Sequence, residues 1–126
     1  MTESDKGNGL RPRFKLWLST DDAEGVFGDG KWRLLESIGR SGSLSAAATE
    51  LGISYRKAWG DLKKAERCLG VSLVEKHRGG ISGGETALTD TGKAWLRAYS
   101  DLRKNVEKEA LNAFKRYVIN LERTET

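Results

Sequence analysis

The N-terminal part of the chain changes from a polar stretch to an alternating apolar pattern. Residues 1–12 carry mostly polar side chains and glycine, so we expect a disordered tail. Phe14, Leu16 and Leu18 then lie on one face of a segment with a period of two residues, which is typical of a half-buried β-strand. Further on, Val26–Phe27 adds either a short second strand or a hydrophobic plug.

Two helices follow, each introduced by a capping residue and ended by glycine. Apolar residues at spacings of three and four predict a helix from an N-cap at Asp29 to about Ile38. Ser43 is expected to cap a second, alanine-rich helix that ends near Leu51. Gly52 lies where the chain must turn sharply, and we expect a positive φ there.

A third helix is predicted for residues 54–69, with Ser54 as its cap, and its two faces differ in character. The apolar face consists of Ala58, Leu62, Ala65 and Leu69. Gly60 costs a helix up to about 1 kcal/mol relative to alanine, and close approach of either DNA or a neighbouring helix would explain it. Two helices joined in this way can place the second in the major groove of DNA.

The last elements are a β-hairpin and a long helix. Strands are predicted over residues 71–76 and 85–88, and they frame a glycine-rich wing at residues 77–85. Thr89 is expected to cap the final helix. The fold class is therefore mainly α with a small β component. A winged helix-turn-helix (three-helix core, β-hairpin wing and N-terminal strand) at residues 13–92 is followed by a C-terminal helix at residues 93–126.

Apolar residues recur every three or four positions along this last helix. About 32 helical residues span about 48 Å, which is longer than the small domain before them covers. We therefore expect the far end to pack on a second subunit, and a helix that breaks and folds back is the alternative. The predicted dimerisation residues are Trp95, Tyr99, Leu102, Val106, Ala110, Phe114, Tyr117 and Leu121.

Positive charge is concentrated around the third helix and the wing. Residues 54–78 hold seven Lys/Arg against three Asp/Glu, whereas residues 14–53 hold four against six. The net charge of the whole chain is only +4. A local basic patch releases counterions from a phosphate backbone, so we expect double-stranded DNA as the partner.

The candidate DNA-binding residues lie on the second and third helices and at the wing. Hydroxyl groups at the helix starts can hold the DNA backbone, and Arg56 can fork onto a guanine edge or a phosphate. For Trp59, contact with DNA and packing in the core remain alternatives. The predicted set is Ser43, Ser45, Ser54, Tyr55, Arg56, Lys57, Trp59, Lys63, Lys64, His77 and Arg78.

One cysteine and one histidine leave little room for other chemistry. They cannot form an internal disulfide, a metal site within one subunit or a catalytic triad, so we expect no enzyme, metal or cofactor. Gly25–Lys31 nearly matches a phosphate-binding loop, but Trp32 replaces the hydroxyl residue that the motif needs. Neither a signal peptide nor a membrane span is recognisable, and we expect a cytoplasmic protein.

Three segments carry a family resemblance. Gly25–Lys31 precedes the first helix, the Ser-Tyr-Arg-Lys-Ala-Trp sequence of residues 54–59 opens the third, and residues 78–92 combine wing glycines with Leu-Thr-Asp-Thr-Gly. Together they resemble the LysR-type winged helix-turn-helix of ModE-type, molybdate-responsive transcriptional regulators. The resemblance covers about residues 14–99.

This resemblance implies a homodimeric transcriptional regulator that binds a near-palindromic operator. Full-length family members continue into β-rich domains that bind molybdate. The present sequence ends at Thr126, so we expect it to lack those domains and not to sense molybdate directly. The alternative is an interaction protein whose C-terminal helix pairs with a separate effector-sensing partner or with a full-length regulator.

Overall fold

The computed structural model describes residues 9–22, 25–77 and 85–121. These residues form two compact units, one from Lys15 to Ser100 and one that combines residues 9–14 with residues 101–121. The elements are β1 (Trp17–Leu18), β2 (Phe27–Gly28), α1 (Asp29–Ser41), α2 (Leu44–Leu51), α3 (Tyr55–Leu69), β3 (Val74–His77), β4 (Glu85–Leu88), α4 (Asp90–Phe114) and a π-helical turn (Lys115–Ile119).

The first strand is shorter than its pattern predicted. β1 pairs antiparallel with β2, with Trp17 opposite Gly28. A Cβ atom on Gly28 would lie 2.8 Å from the Cβ of Trp17, so this close pairing requires glycine. The alternation itself is confirmed, because Phe14, Leu16 and Leu18 are half-buried. Phe27 is fully buried and acts as both strand and plug.

The three-helix core is confirmed, with one cap corrected. The side chains of Ser43 and Ser54 accept hydrogen bonds of 3.0 Å from the third backbone N–H beyond them. Gly52 has the expected positive φ of 70°. Asp29, however, is the first residue of α1, and Gly28 occupies the cap position. The Asp29 carboxylate instead accepts a 2.6 Å hydrogen bond from the hydroxyl of Tyr99.

The wing base is held to the helices by backbone hydrogen bonds. β3 and β4 pair antiparallel from Val74–Leu88 to His77–Glu85. The Thr86 N–H donates to the Gly42 carbonyl at 2.9 Å, which fixes β4 to the turn between α1 and α2. Residues 78–84 of the predicted wing at residues 77–85 lie outside the described residues, as do residues 1–8 of the predicted tail.

The first turns of α4 belong to the core of the Lys15–Ser100 unit. Thr89 caps the helix as expected, accepting a 2.8 Å hydrogen bond from the Gly92 N–H. A Cβ on Gly92 would lie 2.1 Å from the Leu73 carbonyl oxygen, so only glycine permits this approach. Tyr99 is 2% exposed, and its ring packs edge-on against Phe27 at 5.1 Å.

The predicted dimerisation stripe therefore needs a correction at its start. Tyr99 is buried within the protomer, and the half-buried Trp95 packs against Phe27, so neither extends the exposed part of the stripe. The apolar period of three and four residues is the same in the buried and the exposed parts of the helix, so the sequence pattern could not distinguish core residues from exposed ones.

The second unit contains the rest of the helix. Val106, Ala110 and Phe114 are half-buried, whereas exposed apolar side chains occur throughout the segment. A π-helical turn places one extra residue in the helix at its end, and Ile119 is buried there. The exposed set, hereafter the distal apolar residues, is Leu102, Leu111, Tyr117, Val118 and Leu121.

A groove of about 740 Å³ lies within this second unit. Leu10 and Pro12 line one side, and Leu111, Phe114 and Ile119 line the other. The second unit therefore has apolar surface in a groove as well as on its outside. No helix in the described part of the chain is both long and apolar enough to cross a membrane.

Candidate nucleic-acid interface

Helix α3 presents a basic face, which we define as Arg56, Lys57, Lys63, Lys64 and Arg67. All five side chains are exposed. Lys57 pairs with Asp61 at 3.3 Å and Lys63 pairs with Glu66 at 3.1 Å, both within the helix. Across residues 9–22, 25–77 and 85–121, the other three cations form no ion pair, which leaves them available to an external anion.

Gly60 lies in the middle of this basic face. A Cβ at this position would meet no atom within 4 Å, and the residue is exposed. The alternative that a neighbouring helix requires this glycine is therefore wrong for the described residues. Arg56 and Lys64 lie one helical turn away on either side.

The aromatic residues at the start of α3 contact a lysine of the wing. The Lys76 ammonium, on β3, donates a 2.7 Å hydrogen bond to the hydroxyl oxygen of Tyr55. It also lies 4.5 Å from the ring centre of Trp59, and the Lys63 ammonium lies at the same distance from that ring. Trp59 is half-buried and packs against the core, so its indole ring serves packing and cation–π contact together.

Lys76 was missed as a site residue by the sequence analysis. It was counted among the basic residues, but nothing in the local pattern indicated a contact 21 positions away in the chain.

Glu66 connects α3 to the start of β3. Its Oε2 accepts hydrogen bonds from the N–H groups of Leu73 at 2.7 Å and Val74 at 3.3 Å. Partial burial raises the pKa of the Glu66 carboxyl, but the Leu73 N–H, Lys63 and the Val74 N–H outweigh it and hold that pKa below its ordinary value. The ionised carboxylate therefore fixes the wing base to α3 at neutral pH. β3 begins at Val74 and not at the predicted residue 71, and the N–H groups of Val71 and Leu73 before it bond to Glu66.

A second carboxylate positions α2. Glu50 accepts a 2.9 Å hydrogen bond from Arg40 and another from the buried Ser37 hydroxyl. The bond from Arg40 and that from Ser37 lower the pKa of Glu50, and Glu50 raises the pKa of Arg40. The contacts tie the end of α1 to the end of α2, and so help to orient the helix that precedes α3.

The remaining predicted residues are distributed along the same surface. Ser43 and Ser54 act as helix caps, and Ser45 is exposed on α2. His77 is exposed at the end of β3, with its Nε2 3.8 Å from Glu75 Oε1. Arg78 lies outside the described residues. The structure thus brings Tyr55, Trp59, Lys63 and Lys76 into contact.

A basic, exposed second helix of a helix-turn-helix, flanked by a β-hairpin, defines a winged-helix DNA-binding domain. Residues 30–93 match the family described as bacterial regulatory helix-turn-helix protein, lysR family. Since this match covers half of the chain, the protein belongs to that family. The resemblance seen in the sequence motifs is confirmed.

Among curated proteins, the chain is similar to a molybdenum-pterin-binding protein and to the regulator ModE. The chain is 38% identical over 108 residues to the molybdenum-pterin-binding protein MopB of Rhodobacter capsulatus, covering 86% of this chain and 40% of that protein. It is 35% identical over 79 residues to the DNA-binding transcriptional dual regulator ModE of Escherichia coli K12, covering 63% of this chain and 30% of that protein. The chain thus spans less than half the length of these relatives.

Solved structures share the fold. The full-length regulator CbnR in complex with its target DNA aligns with a TM-score of 0.54 at 21% identity, covering 68% of this chain and 28% of that one. The BenM DNA-binding domain in complex with benA site 1 DNA aligns with a TM-score of 0.52 at 23% identity, covering 69% and 91%. The chain therefore contains the DNA-binding helix-turn-helix domain of LysR- and ModE-type transcription regulators, which are not enzymes.

Proposed function

We propose that the protein is a ModE-type transcriptional regulator of the cytoplasm that binds a near-palindromic operator as a homodimer. The observation that carries this proposal is the basic face of α3, where three exposed cations have no ion pair among the described residues. The likeness to ModE supports the same conclusion.

In this proposal the N-terminal end of α3 enters the major groove. Tyr55 and Arg56, in its first turn, lie nearest to the base edges, and Arg56 forks onto the O6 and N7 atoms of a guanine. Lys57, Lys63 and Lys64 neutralise phosphates along the groove. The partial positive charge at the helix N-terminus adds to this attraction.

The wing and α2 contribute contacts to the DNA backbone. Ser43 and Ser45 at the start of α2 lie on the element before α3 and can donate to phosphate oxygens. His77 and Arg78 lead into the wing loop at residues 77–85, which we assign to the flanking backbone. These contacts set the register of α3 and carry little sequence information.

The distal apolar residues support a homodimer. Tyr117 is 65% exposed and Leu121 is 62% exposed, which is costly for a helix surrounded by water. A second copy of the same segment would cover them, and a two-fold axis would match a near-palindromic operator. Of the predicted stripe, this proposal keeps the residues after Ser100, of which Leu102, Tyr117 and Leu121 are exposed.

The experiment is selection of a duplex from a randomised pool by the purified chain, followed by affinity measurement on selected and scrambled duplexes. Arg56→Ala should weaken binding to the selected duplex by about 1–3 kcal/mol and relax preference at one position of each half-site. Arg33→Ala, an exposed arginine of α1, is the matched control and should change neither quantity. Failure of the pool to enrich any sequence would contradict the proposal.

A second candidate is an interaction protein that works with a separate regulator, and the exposed distal apolar residues favour it. In that case the purified chain alone would select no duplex. Addition of a full-length ModE-type regulator would then restore sequence selection and yield a mixed complex in analytical ultracentrifugation.

A further inference from the structure

We propose that Lys76 is a positioning residue for DNA recognition, which makes Tyr55 a hydrogen-bond donor and couples the wing strand to α3. This inference rests on the proposed function. Its basis is the contact of one ammonium group with two aromatic side chains: 2.7 Å to the Tyr55 hydroxyl oxygen and 4.5 Å to the Trp59 ring centre. The Lys76 ammonium also lies 5.4 Å from the ring centre of Tyr55.

The direction of the hydrogen bond follows from the chemistry of the two groups. A lysine ammonium has three donors and no acceptor, so the oxygen of Tyr55 must accept. The hydroxyl proton of Tyr55 is then free to point away from Lys76 towards an external acceptor. Tyr55 is 45% exposed, so such an acceptor can reach it. In the major groove the acceptors are O6 and N7 of guanine, N7 of adenine and O4 of thymine.

The position of Lys76 is itself fixed from several sides. The Trp59 ring attracts both the Lys76 and the Lys63 ammonium groups, each at 4.5 Å. Lys63 in turn pairs with Glu66, whose carboxylate accepts from the N–H groups that begin β3. The wing strand is therefore held to α3 at two points, by Lys76 near the helix start and by Glu66 near its end.

A competing role for Lys76 is a direct contact with phosphate, as for any exposed lysine near DNA. That role predicts equal weakening on every sequence and a smaller dependence on salt. The positioning role predicts a loss of sequence preference that depends on the Tyr55 hydroxyl. The two roles therefore differ in measurable quantities.

The test uses the full chain, the duplex that it selects from a randomised pool, and a scrambled duplex of equal composition. Lys76→Met and Tyr55→Phe should each lower the ratio of the two affinities about three- to tenfold. The double variant should lower this ratio no further than either single change, because both changes remove the same Lys76–Tyr55 hydrogen bond. Lys76→Arg should restore most of the ratio, since a guanidinium can also donate to Tyr55 and stack on Trp59.

Lys64→Met is the matched control, since Lys64 is an exposed lysine of the basic face with no aromatic contact among the described residues. It should weaken binding to both duplexes alike and reduce the salt slope by about one for each protomer. The same behaviour from Lys76→Met, or additive losses in the double variant, would overturn the positioning role alone. A wild-type chain that selects no duplex would overturn the proposed function and the role of Lys76 with it.

Discussion

Helix α3 and the segment after Ser100 both leave a large part of their surface uncovered, but the exposed side chains differ. Helix α3 exposes the cations of its basic face, whereas the later segment exposes the distal apolar residues. Exposed lysine and arginine cost little in water and attract anions, while exposed leucine and tyrosine are stabilised by burial. The comparison supports the proposals that DNA binds the first surface and that a second copy of the chain covers the second.

Salt should separate the two surfaces by the largest margin. If a dimer neutralises about eight phosphates, raising the salt from about 50 to about 200 mM should weaken DNA binding roughly 10⁴-fold. Self-association through apolar side chains should change little over the same range. Fluorescence anisotropy and sedimentation equilibrium on one preparation measure both. A flat salt response of DNA binding would remove the basic face from the mechanism.

Two tyrosines test where the core ends. Tyr99→Ala should reduce the free energy of unfolding by about 3–5 kcal/mol, because it empties a buried site. Tyr117→Ala, at an exposed position, should leave the unfolding of a dilute sample nearly unchanged and weaken self-association. Urea titration and sedimentation are the measurements. Equal losses of stability from both changes would contradict the division between core and interface.

Acid should weaken the attachment of the wing base to α3 before it weakens self-association through the distal apolar residues. The folded state lowers the pKa of Glu66 below its ordinary value of 4.5, so the carboxylate contributes its full stability at neutral pH. That contribution begins to fall as the pH drops below this value, and it is lost below the folded-state pKa. The pKa of Glu50 is also lowered in the folded state, chiefly by its hydrogen bond from Arg40, so its contribution to stability is likewise lost in acid.

Glu66→Ala should cost about 1.5–3 kcal/mol at pH 7, since it removes the acceptor of two backbone N–H groups. Glu66→Gln keeps an acceptor and should cost less, while reducing the acid dependence of the unfolding free energy. Thermal unfolding from pH 7 to pH 3 measures both. An unchanged acid dependence in Glu66→Gln would show that Glu66 does not govern it.

The smallest expected effect concerns Gly60. Gly60→Ala should stabilise the fold by about 0.5–1 kcal/mol, because nothing lies within 4 Å of the added methyl group. If DNA approaches this part of α3 closely, the same change should weaken its binding. Asn105→Ala, at an exposed position of α4, is the control, which should gain stability without loss of affinity. A Gly60→Ala variant with wild-type affinity would mean that DNA does not approach this site.

Local signals predicted the helices well because their physical causes are local. Ser43, Ser54 and Thr89 each bond an N–H three residues ahead, and glycines with φ near 70° end the first three helices. The strand pattern was also visible as alternation, although pairing reduced β1 to two residues.

Contacts between distant segments leave no signal in the local sequence pattern. The apolar period of the last helix continues unchanged from the buried Tyr99 to the exposed Tyr117, and only the elements packed against it distinguish the two. Lys76 likewise contacts Tyr55 only because the fold places β3 beside the start of α3. Asp29 was predicted as a cap because aspartate precedes the apolar pattern of α1, and its bond to Tyr99, 70 positions away, leaves no local signal.

The peptide groups of Leu73 are shared among three elements. Its N–H donates to Glu66 of α3, and its carbonyl accepts a 3.0 Å hydrogen bond from Thr89, one residue before α4, with Gly92 packed on the same oxygen. A shift of the wing base along α3 would break both the bond from the Leu73 N–H to Glu66 and the bond from Thr89 to the Leu73 carbonyl. In the proposed DNA complex, α3, the wing base and the first turn of α4 therefore bind as one rigid assembly, so little conformational entropy is lost in them on binding.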